Sequence, residues 1–437
     1  MSSNAGEAIN LDSNATTRPS AAVVAAMAGA LERAWHNPSS VHRAGQEARR
    51  AVELARGELA GLIGAQAREL TLHASGTESI DQAVRGVLSA ARGGGGAGSG
   101  AGGGVPIVVS TRVEHAAVRE LLEHLDRRGE VAVRWLAIDR AGRVDAASAA
   151  GQITPEVALV SVQWANNETG VLQPMGAVAG LVRAARLAAQ SRGLAGPLLH
   201  VDGTQWVGKL PARVAGQQTP SGFSPGGASS GGVHEDDGLI ECDLLSFSAH
   251  KFHGPKGVGV LWRRPGVRLV PTLIGTQELG RRGGTENVAG IVGAGVAAAE
   301  AAQWLANGPE RERLAALRDG FEARLIDGCR AMGVEARVNG AGAARLWNTS
   351  NIGFARLEAE ALLLAMSERG VWASAGAACS SGSLEPSPVL LAMGVEPAFA
   401  HGSVRFSLSR ETTEAELAAA QGRVLGCVER VARSMPG

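Results

Sequence analysis

Apolar positions along the chain alternate between helical and extended spacing. Over residues 19–35, Val23, Met27 and Leu31 recur on one face, and Pro19 suits a first helical turn. Residues 46–63 repeat the pattern. Residues 69–74 read as a strand and 77–91 as a helix. Short apolar runs follow at 106–109, 131–138, 157–164, 198–201 and 244–248, with helical stretches between several of them, notably 175–190. This alternation predicts an α/β domain built on a mainly parallel sheet. Beyond about residue 286 the texture changes. Ala/Leu/Glu/Arg-rich helices are expected at 288–305, 310–332 and 413–432, mixed with short strands at 351–354 and 404–408. We read a large domain over 15–285 and a smaller α+β domain formed by 1–14 with 286–437. Two segments look inserted, 93–104 and 215–238. Both are rich in Gly and Ser and too poor in apolar surface to offset the entropy of ordering, so mobile surface loops are expected there.

A length of 437 residues fits two domains, and 45% hydrophobic residues is ample for two cores. With aromatics at 3% and no tyrosine, those cores must rest on Ala, Val and Leu. Charge is balanced, 42 basic against 42 acidic residues, which argues against electrostatic capture of nucleic acid or an anionic membrane. The four cysteines, Cys242, Cys329, Cys379 and Cys427, form no CxxC pair and no disulfide framework. Free thiols in a reducing compartment are the simpler reading. Residues 1–9 lack the basic-then-apolar pattern of a signal peptide, and no uncharged stretch approaches membrane-spanning length. A soluble cytoplasmic protein is expected.

Three motif matches mislead. Gly98 to Gly103 fits GxGxxG but lies inside a glycine tract that follows a helix, where a flexible loop is the plainer account. Gly203-Thr-Gln-Trp-Val-Gly-Lys209 fits most of a phosphate-binding P-loop after a strand. However, Leu210 stands where a hydroxyl should meet magnesium, and Trp206 is bulky for a loop that wraps phosphates. His234, Cys242, His250 and His253 match no zinc spacing, so no metal is expected.

Other stretches carry chemistry. In Ser246-Phe-Ser-Ala-His-Lys-Phe-His-Gly-Pro-Lys-Gly257, an apolar strand delivers Ser248, His250 and Lys251 to a tight turn. A lysine at a strand end beside small hydroxyl residues suits a Schiff base with pyridoxal 5'-phosphate (PLP), although a surface lysine is the usual fate of Lys. Asp202 ends a predicted buried strand, where open α/β sheets place their ligands. It can hold a pyridine nitrogen protonated, and Gln205 can donate to a ring phenolate; the plain alternative for Asp202 is a helix cap. Gly76 and Thr77, between a strand and a helix, would offer N–H groups and a hydroxyl to a phosphate, or simply cap the helix. Asn166 and Asn167 follow another strand and suit either a ligand or a turn. Cys379 sits in a run of very small residues, the composition of an exposed reactive loop, unlike the other three cysteines.

Together these stretches resemble the cysteine desulfurases of the nitrogen-fixation and iron–sulfur cluster assembly type, within the class V aminotransferases. The resemblance runs from Leu11-Asp-Ser-Asn-Ala-Thr-Thr17 to Arg405-Phe-Ser-Leu-Ser409. It passes through Asn37-Pro-Ser-Ser40, Val113-Glu-His115, Ala165-Asn-Asn-Glu-Thr-Gly170, Arg282-Gly-Gly-Thr-Glu-Asn287 and Cys379-Ser-Ser-Gly-Ser-Leu-Glu-Pro386. It implies the fold-type I architecture of PLP enzymes, with a seven-stranded, mainly parallel sheet, and a homodimer with sites at the subunit interface. It further implies that Lys251 carries PLP, His115 stacks on the ring, Asp202 pairs with the pyridine nitrogen and Gln205 meets the phenolate. Gly76, Thr77, Ser248 and His250 would hold the phosphate together with Thr285 of the other subunit, while Asn167 and Arg405 would bind the substrate carboxylate. The planar fork of Arg meets both carboxylate oxygens.

The implied reaction takes sulfur from L-cysteine onto Cys379 as a persulfide, leaves alanine, and passes the sulfur to a cluster scaffold or another acceptor protein. One departure is Ser13, where the family more often has Asn. Rival readings are another PLP enzyme of the same fold, such as an aminotransferase or a selenocysteine lyase, and a non-enzymatic scaffold. Cys379 argues against the aminotransferase, and Lys251, Asp202 and Gln205 against the scaffold.

Overall fold

In the computed structural model, which describes residues 8–93, 104–214, 238–376 and 386–434, seven strands form the central sheet. Their order is Leu70–His73, Gly259–Arg263, Leu244–Ser248, Leu198–Asp202, Val157–Gln163, Ile107–Thr111 and Ala132–Leu136. Six of these strands run in the same direction. Gly259–Arg263 is antiparallel to both its neighbours. Three of the strands, Leu70–His73, Val157–Gln163 and Leu244–Ser248, are buried at every position, as expected for a sheet covered on both faces. From Ile107–Thr111 the chain moves outward to Ala132–Leu136, then returns to the other side of Ile107–Thr111 with Val157–Gln163. That reversal opens a crevice at the carboxyl ends of the strands, where open α/β sheets bind ligands.

Strand Gly259–Arg263 and the helix Ala116–Arg127 were not anticipated. The strand begins at a glycine for a visible reason. A Cβ on Gly259 would lie 2.0 Å from the Ser75 carbonyl oxygen, so only glycine lets the 75–76 turn rest on the sheet. Pro19 does not enter the first helix, which runs Ala21–Arg33 with Ser20 as its cap, the Ser20 hydroxyl accepting from Val23 N–H.

Two main hydrophobic cores divide the chain. One lies around the large sheet; the other joins Ile9 and Leu11 to residues from Leu314 to Val431 around the three-stranded sheet of Ala336–Val338, Thr349–Phe354 and Ser403–Ser407. The helix Val288–Leu305, expected in the small domain, packs instead on the helices Ala21–Arg33 and Arg43–Leu62 in the large core. Small side chains explain this. A Cβ on Gly295 would lie 2.6 Å from the Ala55 Cα, and one on Gly293 2.6 Å from Met27 Cγ, so the helices meet nearly backbone to backbone. The same helix is long and apolar enough to cross a membrane by length and composition, although Glu300 interrupts its uncharged run. Its apolarity serves burial between helices.

Candidate active site at the strand ends

The turns that follow the parallel strands converge on one polar crevice. Asp202 is the last residue of its strand, paired in register with Gln163 on one side and Ser246 on the other. One Asp202 carboxylate oxygen accepts from Thr204 N–H at 3.0 Å. Beneath it His200 bridges three strands, Nδ1 to Ser161 Oγ at 2.8 Å and Nε2 to Ser246 Oγ at 3.1 Å. His115 caps the helix Ala116–Arg127, its Nδ1 accepting from Ala117 N–H at 3.1 Å. That bond leaves the proton of the neutral ring on Nε2. The His115 turn is pinned across the crevice. Glu114 accepts from Thr111 Oγ1 at 2.7 Å and from Gln163 N–H at 2.8 Å, and Asn166 Nδ2 donates to Val113 O at 2.9 Å.

Lys251 ends a short 3-10 turn after Leu244–Ser248, half-buried, and its Nζ donates to the Asn14 carbonyl at 2.6 Å and the Ala15 carbonyl at 2.9 Å. His250 Nδ1 lies 3.2 Å from Thr16 Oγ1, and the Ser248 hydroxyl donates to Val258 O at 3.1 Å. Gln205 is buried, with Nε2 donating to Asn14 O at 3.1 Å. The helix Gly76–Gly93 starts at the same place. A Cβ on Gly76 would stand 3.3 Å from Ser248 Cβ and 3.6 Å from Thr204 Oγ1. Thr77 is exposed in that first turn. Thr285 is exposed too, in a segment tied to the helix by Arg282 Nε, which donates to Glu78 Oε1 at 2.8 Å.

The second core supplies the opposite wall. Buried Arg405 donates to Asp12 Oδ1 at 2.7 Å and to Asn167 O at 3.1 Å, which brings the two expected carboxylate-binding residues together. Glu168 is buried beside them and accepts from the Ser387 hydroxyl at 2.6 Å. Cys379 lies outside the described residues.

Burial sets the charge state of the crevice. His115 is held below its ordinary range by burial and by the nearby Lys251 cation, against the pull of Asp202. His250 is pushed down to about 3 by burial and by Lys251, and His200 to about 4 by burial. Glu114 is pushed up to about 8, by burial first and then by the Asp202 charge. These shifts favour neutral imidazoles and a neutral Glu114 carboxyl in the crevice. Burial pushes the Cys242 thiol up strongly, Cys329 up to about 11, and Cys427 up as well, so these three are poor nucleophiles.

The aminotransferase class-V family model matches residues 9–219 and 232–419. The chain belongs to that family. Among curated members, it is 40% identical over 410 residues to "Cysteine desulfurase 2" of Trichormus variabilis, covering 94% of this chain and 90% of that protein. It is also 40% identical over 430 residues to "Cysteine desulfurase NifS" of Azotobacter vinelandii, covering 98% and 92%. Among solved structures, a "NIFS-LIKE PROTEIN" superposes with a TM-score of 0.78 at 30% identity, covering 96% of this chain and 98% of the other. The structure titled "SspA in complex with cysteine" superposes at 0.68 with 25% identity, covering 93% and 100%.

Within this family fold, several polar groups in the crevice mouth and wall have no partner among the described residues. Thr204 Oγ1, Asn167 Oδ1 and Arg405 Nε are buried without a hydrogen bond among the described residues. Buried polar atoms are ordinarily satisfied, so three orphans around one crevice point to a polar ligand. Their chemistry fits PLP with an amino acid: a hydroxyl beside a helix N-terminus for phosphate, and an amide and a guanidinium for a carboxylate. Sequence reading missed Thr204, although it lies inside a stretch singled out for Asp202 and Gln205. It also missed Asn14, Glu114 and Glu168, whose roles depend on partners far along the chain. Buried Ser13 Oγ likewise has no partner among the described residues.

Proposed function

We infer that the chain is a cysteine desulfurase that converts L-cysteine to L-alanine and passes the sulfur on through an enzyme persulfide. The observation that carries this reading is the convergence of Lys251, Asp202, Gln205 and His115 at the strand ends with Arg405 and Asn167 opposite. It stands in a chain 40% identical, over nearly its whole length, to proteins named cysteine desulfurase. PLP, when bound, supplies an electron sink for the substrate α-carbon. Lys251 Nζ holds the cofactor and then moves the proton at that carbon. Asp202 keeps a proton on the pyridine nitrogen, Gln205 donates to the ring oxygen, and the His115 ring covers one face. The helix N-terminus at Gly76 and Thr77, with Ser248 and His250, receives the phosphate. Arg405 and the Asn167 amide hold the substrate carboxylate, Arg405 already being fixed by Asp12.

The Cys379 thiolate attacks the cysteine sulfur, the carbon–sulfur bond breaks, and the electron pair stays with the alanine carbon, which is then protonated. The sulfur leaves on Cys379 for a cluster scaffold or another acceptor protein. Thiol chemistry of this kind belongs in a reducing compartment, so we place the protein in the cytoplasm. We propose a homodimer in which Thr285 reaches the partner's phosphate site. The same segment exposes Leu273, Ile274 and Leu279, at 45%, 84% and 71%, an apolar patch suited to a second copy.

The test is to give the purified protein L-cysteine and a reductant and to measure sulfide and alanine. Equal amounts of both, with Cys379→Ala forming no persulfide, is the expected result. Persulfide formed at the wild-type rate by Cys379→Ala would remove that residue from the reaction, and absence of alanine would remove the reading as a whole.

A further inference from the structure

The seven residues that mimic a P-loop end at Lys209, and the structure gives this lysine an unusual place. It is 4% exposed, in the same polar interior as Lys251. Its Nζ donates to Asn14 Oδ1 at 2.7 Å and to Gln205 Oε1 at 2.5 Å. Both acceptors are amide oxygens, not carboxylates. Burial, and then the positive charges of Lys251 and Arg405, push its basicity well below the ordinary range. A buried lysine beside other cations is costly, and such a group calls for a reason.

The hydrogen bonds supply one. An amide side chain can turn over, exchanging its oxygen for its NH2 group. At Asn14 the choice is fixed from several sides. Asn348 Nδ2 donates to Asn14 Oδ1 at 2.9 Å, while Asn14 Nδ2 donates to Asn167 O at 3.2 Å and to Thr349 Oγ1 at 2.9 Å. Gln205 is fixed only twice among the described residues. Its Nε2 meets the Asn14 carbonyl, an acceptor with no proton to give, and its Oε1 meets Lys209. A lysine head offers two or more N–H donors whether charged or neutral, one for each of these oxygens. The Asn14 carbonyl also receives Lys251 Nζ. Thus Lys209, Gln205, Asn14 and Lys251 form one continuous network.

We propose that Lys209 is a positioning residue that locks the Gln205 amide with its NH2 group toward the cofactor's ring oxygen. The lock rests on the PLP reading of the crevice. Without Lys209, Gln205 turns over in a fraction of molecules and sets a carbonyl against an oxygen of like charge. Local backbone supports the arrangement. Gly208 has a φ of 79°, and a Cβ there would lie 2.4 Å from Phe252 Cβ, so only glycine lets the turn carry Lys209 back under the site.

The test is a double-mutant cycle on full-length protein, with PLP as the probe. Wild type, Lys209→Met, Gln205→Leu and the double variant are stripped and titrated with PLP. Visible absorbance gives the dissociation constant, and its dependence on pH gives a midpoint for the loaded protein. Lys209→Met is expected to weaken PLP about tenfold and to move the midpoint by roughly one unit in the direction that Gln205→Leu moves it. In the Gln205→Leu background it is expected to change neither quantity, because there is no amide left to orient. Effects of the two substitutions that add in full, or an unmoved midpoint, overturn the proposal and leave Lys209 a strut. If Lys209→Met does not fold, Lys209→Gln, which keeps a donor, is read in the same cycle. Failure of both to fold also assigns a purely structural role and overturns the proposal. Wild-type protein that takes up no PLP overturns the cofactor reading itself, an outcome distinct from either of these.

Discussion

The two sides of the crevice are held by different means. On the sheet side, Asp202, Ser248 and the residues beneath them sit on adjacent strands whose register is set by backbone ladders. On the opposite side, Asp12, Asn14, Asn167, Glu168 and Ser387 come from separate stretches tied by side-chain hydrogen bonds to one another and to Arg405, which alone of them sits in a strand ladder, Ser403–Ser407. The segment around Thr285 belongs with the second kind. Its anchor is Glu278, whose buried carboxylate takes both Arg56 nitrogens at 2.7 Å and Leu72 N–H at 2.8 Å. The difference implies that one substitution on the sheet side removes one group, whereas one on the other side releases several.

The largest break should come at Glu278. Its backbone has a φ of 51°, a strained conformation for a non-glycine residue, and its carboxylate bonds to Arg56 and Leu72 N–H help to hold it there. Arg56→Met would leave a carboxylate with 2% side-chain exposure unpaired. A loss of about 3–5 kcal/mol of folding stability is expected, measurable by chemical denaturation. A loss under about 1 kcal/mol, the scale of an exposed ion pair, would mean that this segment is not held as described.

Arg405→Lys sharpens the comparison at the substrate end. Lysine cannot keep Asp12, the Asn167 carbonyl and a substrate carboxylate in a planar fork, so KM for L-cysteine should rise by about 10- to 100-fold. Turnover at saturation should change less. A fall confined to kcat would place Arg405 outside substrate binding. Glu168→Gln is a gentler probe of the same wall. Burial raises the Glu168 carboxyl above its usual range, and the Ser387 hydroxyl bonds it. An amide of the same shape keeps an oxygen for Ser387, so a loss of about 1 kcal/mol in stability is expected by denaturation.

The same division explains what could be read along the chain. Lys251, Asp202 and Gln205 were legible because strand periodicity locates strand ends, and a strand end is where an α/β sheet binds ligands, whereas His115 was named only through the family resemblance. The pairs Arg56–Glu278 and Lys209–Asn14 were not legible. Their partners lie 222 and 195 residues apart, and no local pattern marks them. Helix Val288–Leu305 was placed in the wrong core for a related reason. Periodicity identifies a helix, but the glycines that choose its neighbours act only through shape.

The smallest effect separates holding the sheet side from catalysis on it. His200 spans Ser161 and Ser246 below Asp202, and burial depresses its pKa from an ordinary 6.5 to about 4. Between those values the unfolded chain binds a proton that the folded protein refuses. The contribution of His200 is therefore intact above about pH 6.5 and is lost as pH falls through about 4. Across that window one such group tilts stability by at most about 1.4 kcal/mol per pH unit. His115 and His250 are depressed in the same sense, so His200→Asn should flatten the acid side of the stability profile only in part. Urea denaturation from pH 7 to 4.5 reads the slope directly. Activity near pH 8 should stay within a few-fold of wild type, because backbone ladders, and not the imidazole, hold Asp202 in place. An unchanged acid slope would mean that the buried ring titrates normally, and a collapse of activity would mean that the ladder alone does not hold the strand end.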